Sequence, residues 1–258
     1  MKDLLKLLEQ ALSSDAPRPP RLVRLPDDRP IIFVGDIHGD RDAVETVFSR
    51  FPVPDHVIVF LGDIVDRGAD SLGALTSVVK GRLEKPSSIH LLMGNHEGRG
   101  ISRFSPADFW DSLPQDQCEE LSHHLTKLPL AAWHPVGILA THGGLPGLSS
   151  LDAIDDIDLG SEAWHAITWG DWGSNRRFAS RFEARPTFGP ATFEERSFQL
   201  GVKVQIRSHQ PTAPLYLFDD RCLTLFTSNA YGDGTRRVAR LMPGQRIETA
   251  RDLQLIEI

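Results

Sequence analysis

The sequence predicts an α/β domain built on mixed sheet. From Ile31 onward short apolar runs alternate with helix-patterned stretches, the habit of α/β folds. The late segment LYLFDDRCLTLF (215–226) reads as two antiparallel strands joined at Asp219-Asp220-Arg221. Five of the apolar runs end in Asp, His, Asn or Arg, mostly beside glycine.

In chain order, Leu4, Leu5, Leu8 and Leu12 line one face of an N-terminal helix, docked on the domain or left loose. Lys6, Glu9 and Gln10 interrupt that stretch, which makes it a poor signal peptide. The segment APRPPRLVRLPDDRP (16–30) reads as a proline-rich connector, so residues 1–30 precede a domain expected over 31–258. Strands are predicted at 31–34, 56–61, 88–93, 136–141, 202–208, 215–218 and 223–228. Helices are predicted at 40–50, 70–82, 105–127 and 190–200.

Composition narrows the function. With 258 residues, 40% apolar and 24% charged, the chain can bury a full core. A net charge of −7 argues against nucleic-acid or anionic-membrane partners, which favour a basic face. No apolar run approaches the roughly 20 residues that span a bilayer. Two isolated cysteines, Cys118 and Cys222, suggest a reducing compartment, and a cytoplasmic enzyme is expected.

The strand ends carry the chemistry. The first gives Gly35-Asp36-Ile37-His38-Gly39, the second Gly62-Asp63-Ile64-Val65-Asp66-Arg67-Gly68, the third Gly94-Asn95-His96-Glu97. The fourth gives His142-Gly143-Gly144-Leu145 and the fifth Arg207-Ser208-His209-Gln210. Any one of these reads as a turn with a polar lip. Five in succession place carboxylate, amide and imidazole groups, and no thiolate, where α/β sheets form ligand crevices; that donor set suits hard or borderline divalent ions.

GDIHG, GDIVDRG, GNHE, HGGL and RSHQP together resemble the phosphoprotein phosphatase family, the metal-dependent Ser/Thr phosphatases among the calcineurin-like phosphoesterases. The passage LPLAAWHPVGILATHGGL (128–145) is similar as well. The resemblance implies a central β-sandwich of two mixed sheets flanked by helices. It implies one divalent ion on Asp36, His38 and Asp63, and a second on Asp63, Asn95, His142 and His209. Manganese is the first choice for both, with iron or zinc as alternatives. It further implies His96 as general acid paired with Asp66, and Arg67 as phosphate clamp. The second family arginine precedes a Phe-Gly pair; before Phe188-Gly189 the register leaves Arg181 and Arg185 open. Tyr231 matches a tyrosine near the phosphate, and Asp171 an acidic partner of a metal-bound histidine. TSNAYGD departs from the eukaryotic form of that loop, with Gly232 in place of cysteine.

The implied activity is phosphomonoester hydrolysis of phosphoproteins by metal-bound hydroxide. The nearest rival is symmetrical dinucleoside tetraphosphate hydrolysis, whose matching motif typically has Gln at the position of His38. A non-catalytic phosphoprotein-binding scaffold is the alternative from another class. His56, His90, His123, His124, His134 and His165 are expected in core or surface positions, Glu97 beside the ligands or at the surface, and Arg207 in support. Trp169 and Trp172 flank Asp171 and are expected in packing or along one wall of the cleft.

Overall fold

Every residue of Ile31–Val34 is buried, and so is every residue of Val57–Phe60. Strands covered on both faces belong inside a layered α/β domain. The computed structural model describes residues 1–13, 19–173, 185–231 and 236–258.

The helices are α1 (Lys2–Ala11), α2 (Arg41–Arg50), α3 (Ser71–Glu84), α4 (Asp108–Asp111), α5 (Gln115–Leu125), α6 (Glu162–Trp169) and α7 (Pro190–Leu200). The strands through the middle of the chain are β1 (Leu22–Arg24), β2 (Ile31–Val34), β3 (Val57–Phe60), β4 (Ile89–Leu91), β5 (Ala131–His134) and β6 (Ile138–Thr141). They are followed by β7 (Asp171–Trp172), β8 (Thr187–Phe188), β9 (Val204–Arg207), β10 (Tyr216–Leu217), β11 (Cys222–Thr224), β12 (Arg237–Leu241) and β13 (Gln254–Glu257).

Two mixed sheets form the sandwich. One has the order β1-β5-β6-β9-β11-β10, the other β13-β12-β2-β3-β4, and β7 pairs with β8 in a small third sheet. Strand periodicity divides the side chains between two cores. Ile31, Phe33, Val57 and Val59 of one sheet meet Ile138, Ala140, Val204, Ile206 and Leu223 of the other. Ile32, Val34, Ile58 and Phe60 point the opposite way, into the cluster holding Val44 and Val47 of α2 and Leu75 and Val78 of α3. Each such side chain contributes about 1.5–3 kcal/mol, which fixes the register on which the strand ends depend.

Helix starts follow local signals. Asp40 caps α2 by accepting from Ala43 N–H at 3.1 Å, and Asp70 caps α3 by accepting from Gly73 N–H at 2.7 Å. The hairpin expected at 215–226 is present, with Tyr216 opposite Leu223 and Leu217 opposite Cys222.

Several readings need correction. The proline-rich connector contains β1, which lies parallel to β5 at a sheet edge, and Arg21 beside it is buried. Three residues among prolines are too few to show periodicity. The helix expected at 105–127 is broken into α4 and α5 at Leu113-Pro114, because proline cannot continue the preceding helix. Strands β5, β12 and β13 and helix α6 have no counterpart in the sequence reading. The N-terminal helix, by contrast, takes the docked one of its two expected placements: Leu4, Leu5, Leu8 and Leu12 are buried, and α1 packs on α3 and α5. Among the described residues no helix is long and apolar enough to cross a membrane.

Candidate functional site

Strands β2, β3 and β4 of one sheet and β6 and β9 of the other deliver their carboxyl ends to one place. A parallel bridge between Asp36 and Phe226 ties the two sheets together there. Beyond those ends His38, Asp63, Asp66, Arg67 and His209 have φ of 45°, 52°, 68°, 69° and 69°. None is glycine, and left-handed backbone costs such residues about 1–2 kcal/mol each. Strain of this kind collects at functional sites.

Asp63 is the centre of the cluster. Its Oδ2 lies 3.3 Å from His142 Nε2, 3.7 Å from His38 Nε2 and 3.8 Å from His96 Nε2. Its Oδ1 accepts the His96 N–H at 2.9 Å. Backbone carbonyls set which ring nitrogen faces inward. His38 Nδ1–H donates to Val65 O at 2.9 Å and His142 Nδ1–H to Leu61 O at 3.0 Å, so both present Nε2. His209 is reversed: Nε2–H donates to Trp169 O at 3.2 Å, and Nδ1 faces Asn95 Oδ1 at 2.8 Å. The same Asn95 oxygen is 3.1 Å from His142 Nε2. Potential ligand atoms of Asp63, Asn95, His142 and His209 therefore converge.

The donor set fits divalent cations. Asp36 Oδ2 is fully buried and has no hydrogen-bond partner among the described residues, with His38 Nε2 3.5 Å away. A buried carboxylate oxygen left so is costly unless a cation accompanies it. Two groupings can each hold an ion, His38 with Asp63 and His96, and Asp63 with His142 and His209; Asp63 is common to both. The first puts His96 where Asp36 was expected to complete the set. Among the described residues none of the other six histidines joins either grouping.

Charge separates the imidazoles. Burial alone would lower His142, but Asp63 first and then Asp36 and Glu97 push it up to about 9. His38 is raised against its burial by Asp36 and Asp63. Burial, His142 and Arg185 hold His209 well below the ordinary range. Asp63 is held well below the usual carboxylate range: burial opposes this, and His142, His96 and His38 overcome it. The metal-free protein thus carries a proton on His142 below about pH 9. A cation must displace it, so affinity rises as pH approaches that value. Calorimetric Mn²⁺ titrations at pH 7 in buffers of different ionisation enthalpy are expected to show net release of about one proton or more. No release would contradict this protonation pattern.

His96 Nδ1 is 2.5 Å from Asp66 Oδ2, and both residues are buried. Arg67 is exposed and its guanidinium lies 5.5 Å from the Tyr231 ring centroid. The Tyr231 hydroxyl is 2.9 Å from His38 Nε2, which brings this side chain into the cleft. Arg185 Nη1 reaches Asp171 Oδ2 at 3.8 Å. Arg181 lies outside the described residues, as does Gly232.

Asp171 Oδ1 is 3.7 Å from His209 Nε2 and 3.8 Å from Arg207 Nη2. The Trp169 carbonyl holds the closer place on His209, so Asp171 supports it from beside that bond. Arg207 is fully buried and donates to Ser208 O and Gln210 Oε1, bracing the strand end before His209. Trp172 is in the core against Phe188, Phe193 and Phe218, and does not wall the cleft.

Glu97 is no surface residue. It is buried and accepts from Asp63 N–H, Ile64 N–H and Gly94 N–H at 2.7, 2.9 and 3.0 Å. Burial and Asp63 push it up to about 7 despite those donors. It fixes the backbone of the central aspartate, a role that only its non-local partners reveal. Its place beside the ligands was one of the two expected, whereas Ser208 was missed: its Oγ accepts from Asp36 N–H at 2.9 Å and donates to Leu225 O at 2.5 Å.

Solved structures share this architecture. A Saccharomyces cerevisiae protein serine/threonine phosphatase with similarity to human phosphatase PP5 matches at 22% identity and TM-score 0.82, over 100% of this chain and 89% of that one. A putative diadenosine tetraphosphatase matches at 21% identity and TM-score 0.56, over 92% and 98% of the two chains. A cold-active protein-tyrosine phosphatase of a psychrophilic Shewanella matches at 16% identity and TM-score 0.60, over 95% and 84%. Identities this low speak to fold alone. The family model for calcineurin-like phosphoesterases, however, matches residues 29–213, a span that contains every residue of the metal-fitting cluster. The chain belongs to the calcineurin-like phosphoesterase family.

Proposed function

We propose that this phosphoesterase is a phosphomonoesterase acting on phosphoserine and phosphothreonine in proteins. The observation that carries the reading is the buried His96–Asp66 pair at 2.5 Å, directed at the central carboxylate. A serine or threonine alkoxide is a poor leaving group, and a placed acid is worth about 10²–10⁴ in rate.

In this reading Asp36, His38 and Asp63 hold one divalent ion, and Asp63, Asn95, His142 and His209 hold the other, with Mn²⁺ preferred over iron or zinc. Bound there, the ions supply Lewis acidity and a water of lowered pKa. Asp66 accepts from His96 Nδ1–H and keeps the proton on Nε2 aimed at the departing oxygen. Arg67 offers two parallel donors to the phosphate, and Tyr231 bounds the same space. Arg185 is the second clamp within reach of the site, held through Asp171. Cys118 and Cys222 are free thiols, which suits a cytoplasmic setting.

Hydrolysis of dinucleoside tetraphosphates is the second reading, favoured by the fold shared with a putative diadenosine tetraphosphatase. His38 stands against it, since the matching motif of those hydrolases typically has Gln at that position. The test is phosphate release from a phosphoserine peptide beside cleavage of diadenosine tetraphosphate, both with Mn²⁺. Peptide turnover exceeding dinucleotide turnover is expected. Robust dinucleotide cleavage with none of the peptide overturns the proposal. No hydrolysis of even an activated aryl phosphate points to a binding scaffold.

A further inference from the structure

Asp66 and Arg67 are consecutive, neither is glycine, and both are left-handed, with φ of 68° and 69°. L-residues resist that conformation, so neighbours must hold it. Ser71 Oγ accepts the Asp66 N–H at 2.9 Å, and the other neighbours are three successive residues of α4. Asp108 accepts the Arg67 N–H with both carboxylate oxygens, at 3.0 and 3.1 Å. Phe109 N–H donates to Asp66 Oδ1 at 2.8 Å. Trp110 Nε1–H donates to the His96 carbonyl at 3.0 Å. One short segment thus grips the clamp, the acid's partner and the acid itself.

We propose that Asp108 is a positioning residue that acts through Arg67 and sets the affinity for the phosphate group. It sits on the surface, and among the described residues its carboxylate forms no ion pair with a cationic side chain. Both oxygens are instead directed at a single backbone N–H. Arg67 is then held at two ends, at its backbone by Asp108 and at its guanidinium by the Tyr231 ring, 5.5 Å from the centroid. With the carboxylate gone, the peptide is free to leave its left-handed well, and the guanidinium loses its aim. Asp66 stays in place through Phe109, so proton delivery by His96 is retained. The inference deepens the phosphatase reading and rests on it for Arg67's role.

The test uses the Mn²⁺-loaded full chain, with 4-nitrophenyl phosphate as substrate and inorganic phosphate as competitive inhibitor. Asp108→Ala is expected to raise both KM and the phosphate inhibition constant about tenfold, the scale of a lost hydrogen bond to a charged group. Metal content and kcat should change by less than about threefold. Asp108→Asn keeps an accepting oxygen and should recover most of the affinity. Asp108→Glu keeps the charge but displaces the oxygens, and should behave like the alanine variant if that one does not fold. In an Arg67→Ala background, removing Asp108 should add less than about twofold, because residues acting as one unit are not additive.

An unchanged inhibition constant in Asp108→Ala, or the full tenfold effect persisting without Arg67, overturns the proposal and leaves the phosphatase reading intact. If the parent hydrolyses no phosphate ester, that reading fails separately. Calorimetric titration of inorganic phosphate then makes the same comparison among the variants.

Discussion

His96→Asn is expected to lower kcat on a phosphoserine peptide by about 10²–10⁴-fold, the usual worth of a general acid. The imidazole is buried, bonded through Nδ1 to Asp66 at 2.5 Å and set with Nε2 3.8 Å from Asp63 Oδ2. Asparagine retains a donor of similar reach but has no proton to give near neutrality. The loss should shrink for 4-nitrophenyl phosphate, whose leaving group needs little protonation. Metal content should stay near the parent's, because the proposed ligands are all retained, Asp36, His38 and Asp63 on one side and Asn95, His142 and His209 on the other. Metal analysis on the same preparation separates the alternatives. The geometry also allows His96 to join His38 and Asp63 around a cation. Parallel loss of one ion and of activity would assign it there and remove the acid.

Asp63→Asn is expected to abolish retention of both ions, with at least a tenfold weaker affinity at each position. Two divalent ions about 4 Å apart repel by roughly 17 kcal/mol at an effective dielectric of 20, so an anion must lie between them. In the proposed arrangement Asp63 would be that anion, and three imidazole nitrogens lie within 3.8 Å of one of its carboxylate oxygens. The substitution is nearly isosteric and leaves an oxygen to accept the His96 N–H, so the fold should persist. Loss of the charge also removes the main influence that raises His142. Proton release on metal addition should fall with it. Full occupancy by two ions in Asp63→Asn would contradict the shared-carboxylate arrangement.

Much of the site was legible because its residues cluster in the chain immediately after apolar strands. IIFV and HVIVFL correspond to β2 and β3 almost residue for residue, and the register fixed by their inward and outward faces decides where Asp36 and Asp63 emerge. The hairpin at 215–226 was readable from two runs and three turn residues. Elements lacking their own periodicity were not. β1 has three residues among prolines, and β12 (RVARL) and β13 (QLIE) set two adjacent apolar residues between polar ones, which shows no two-residue alternation.

Within the site, the backbone partners through which side chains act left no sequence signal. Glu97 is bound to three N–H groups, two of them more than 30 positions away, and Ser208 bridges Asp36 to Leu225. Asp108 and Trp110 fell in what read as one long helix, whose break at Leu113-Pro114 frees α4 to turn towards the catalytic loops. The left-handed backbone at His38, Asp63 and His209 is likewise a product of the assembled sheets.

An anomalous-scattering crystal structure of the Mn²⁺-loaded protein bears most directly on the dinuclear site. Two peaks roughly 3.5–4 Å apart are expected, both touching Asp63. Asp36 and His38 Nε2 should complete one, and Asn95, His142 Nε2 and His209 Nδ1 the other, with His96 bound to neither. A single peak, or a second ion coordinated by His96, would contradict the account.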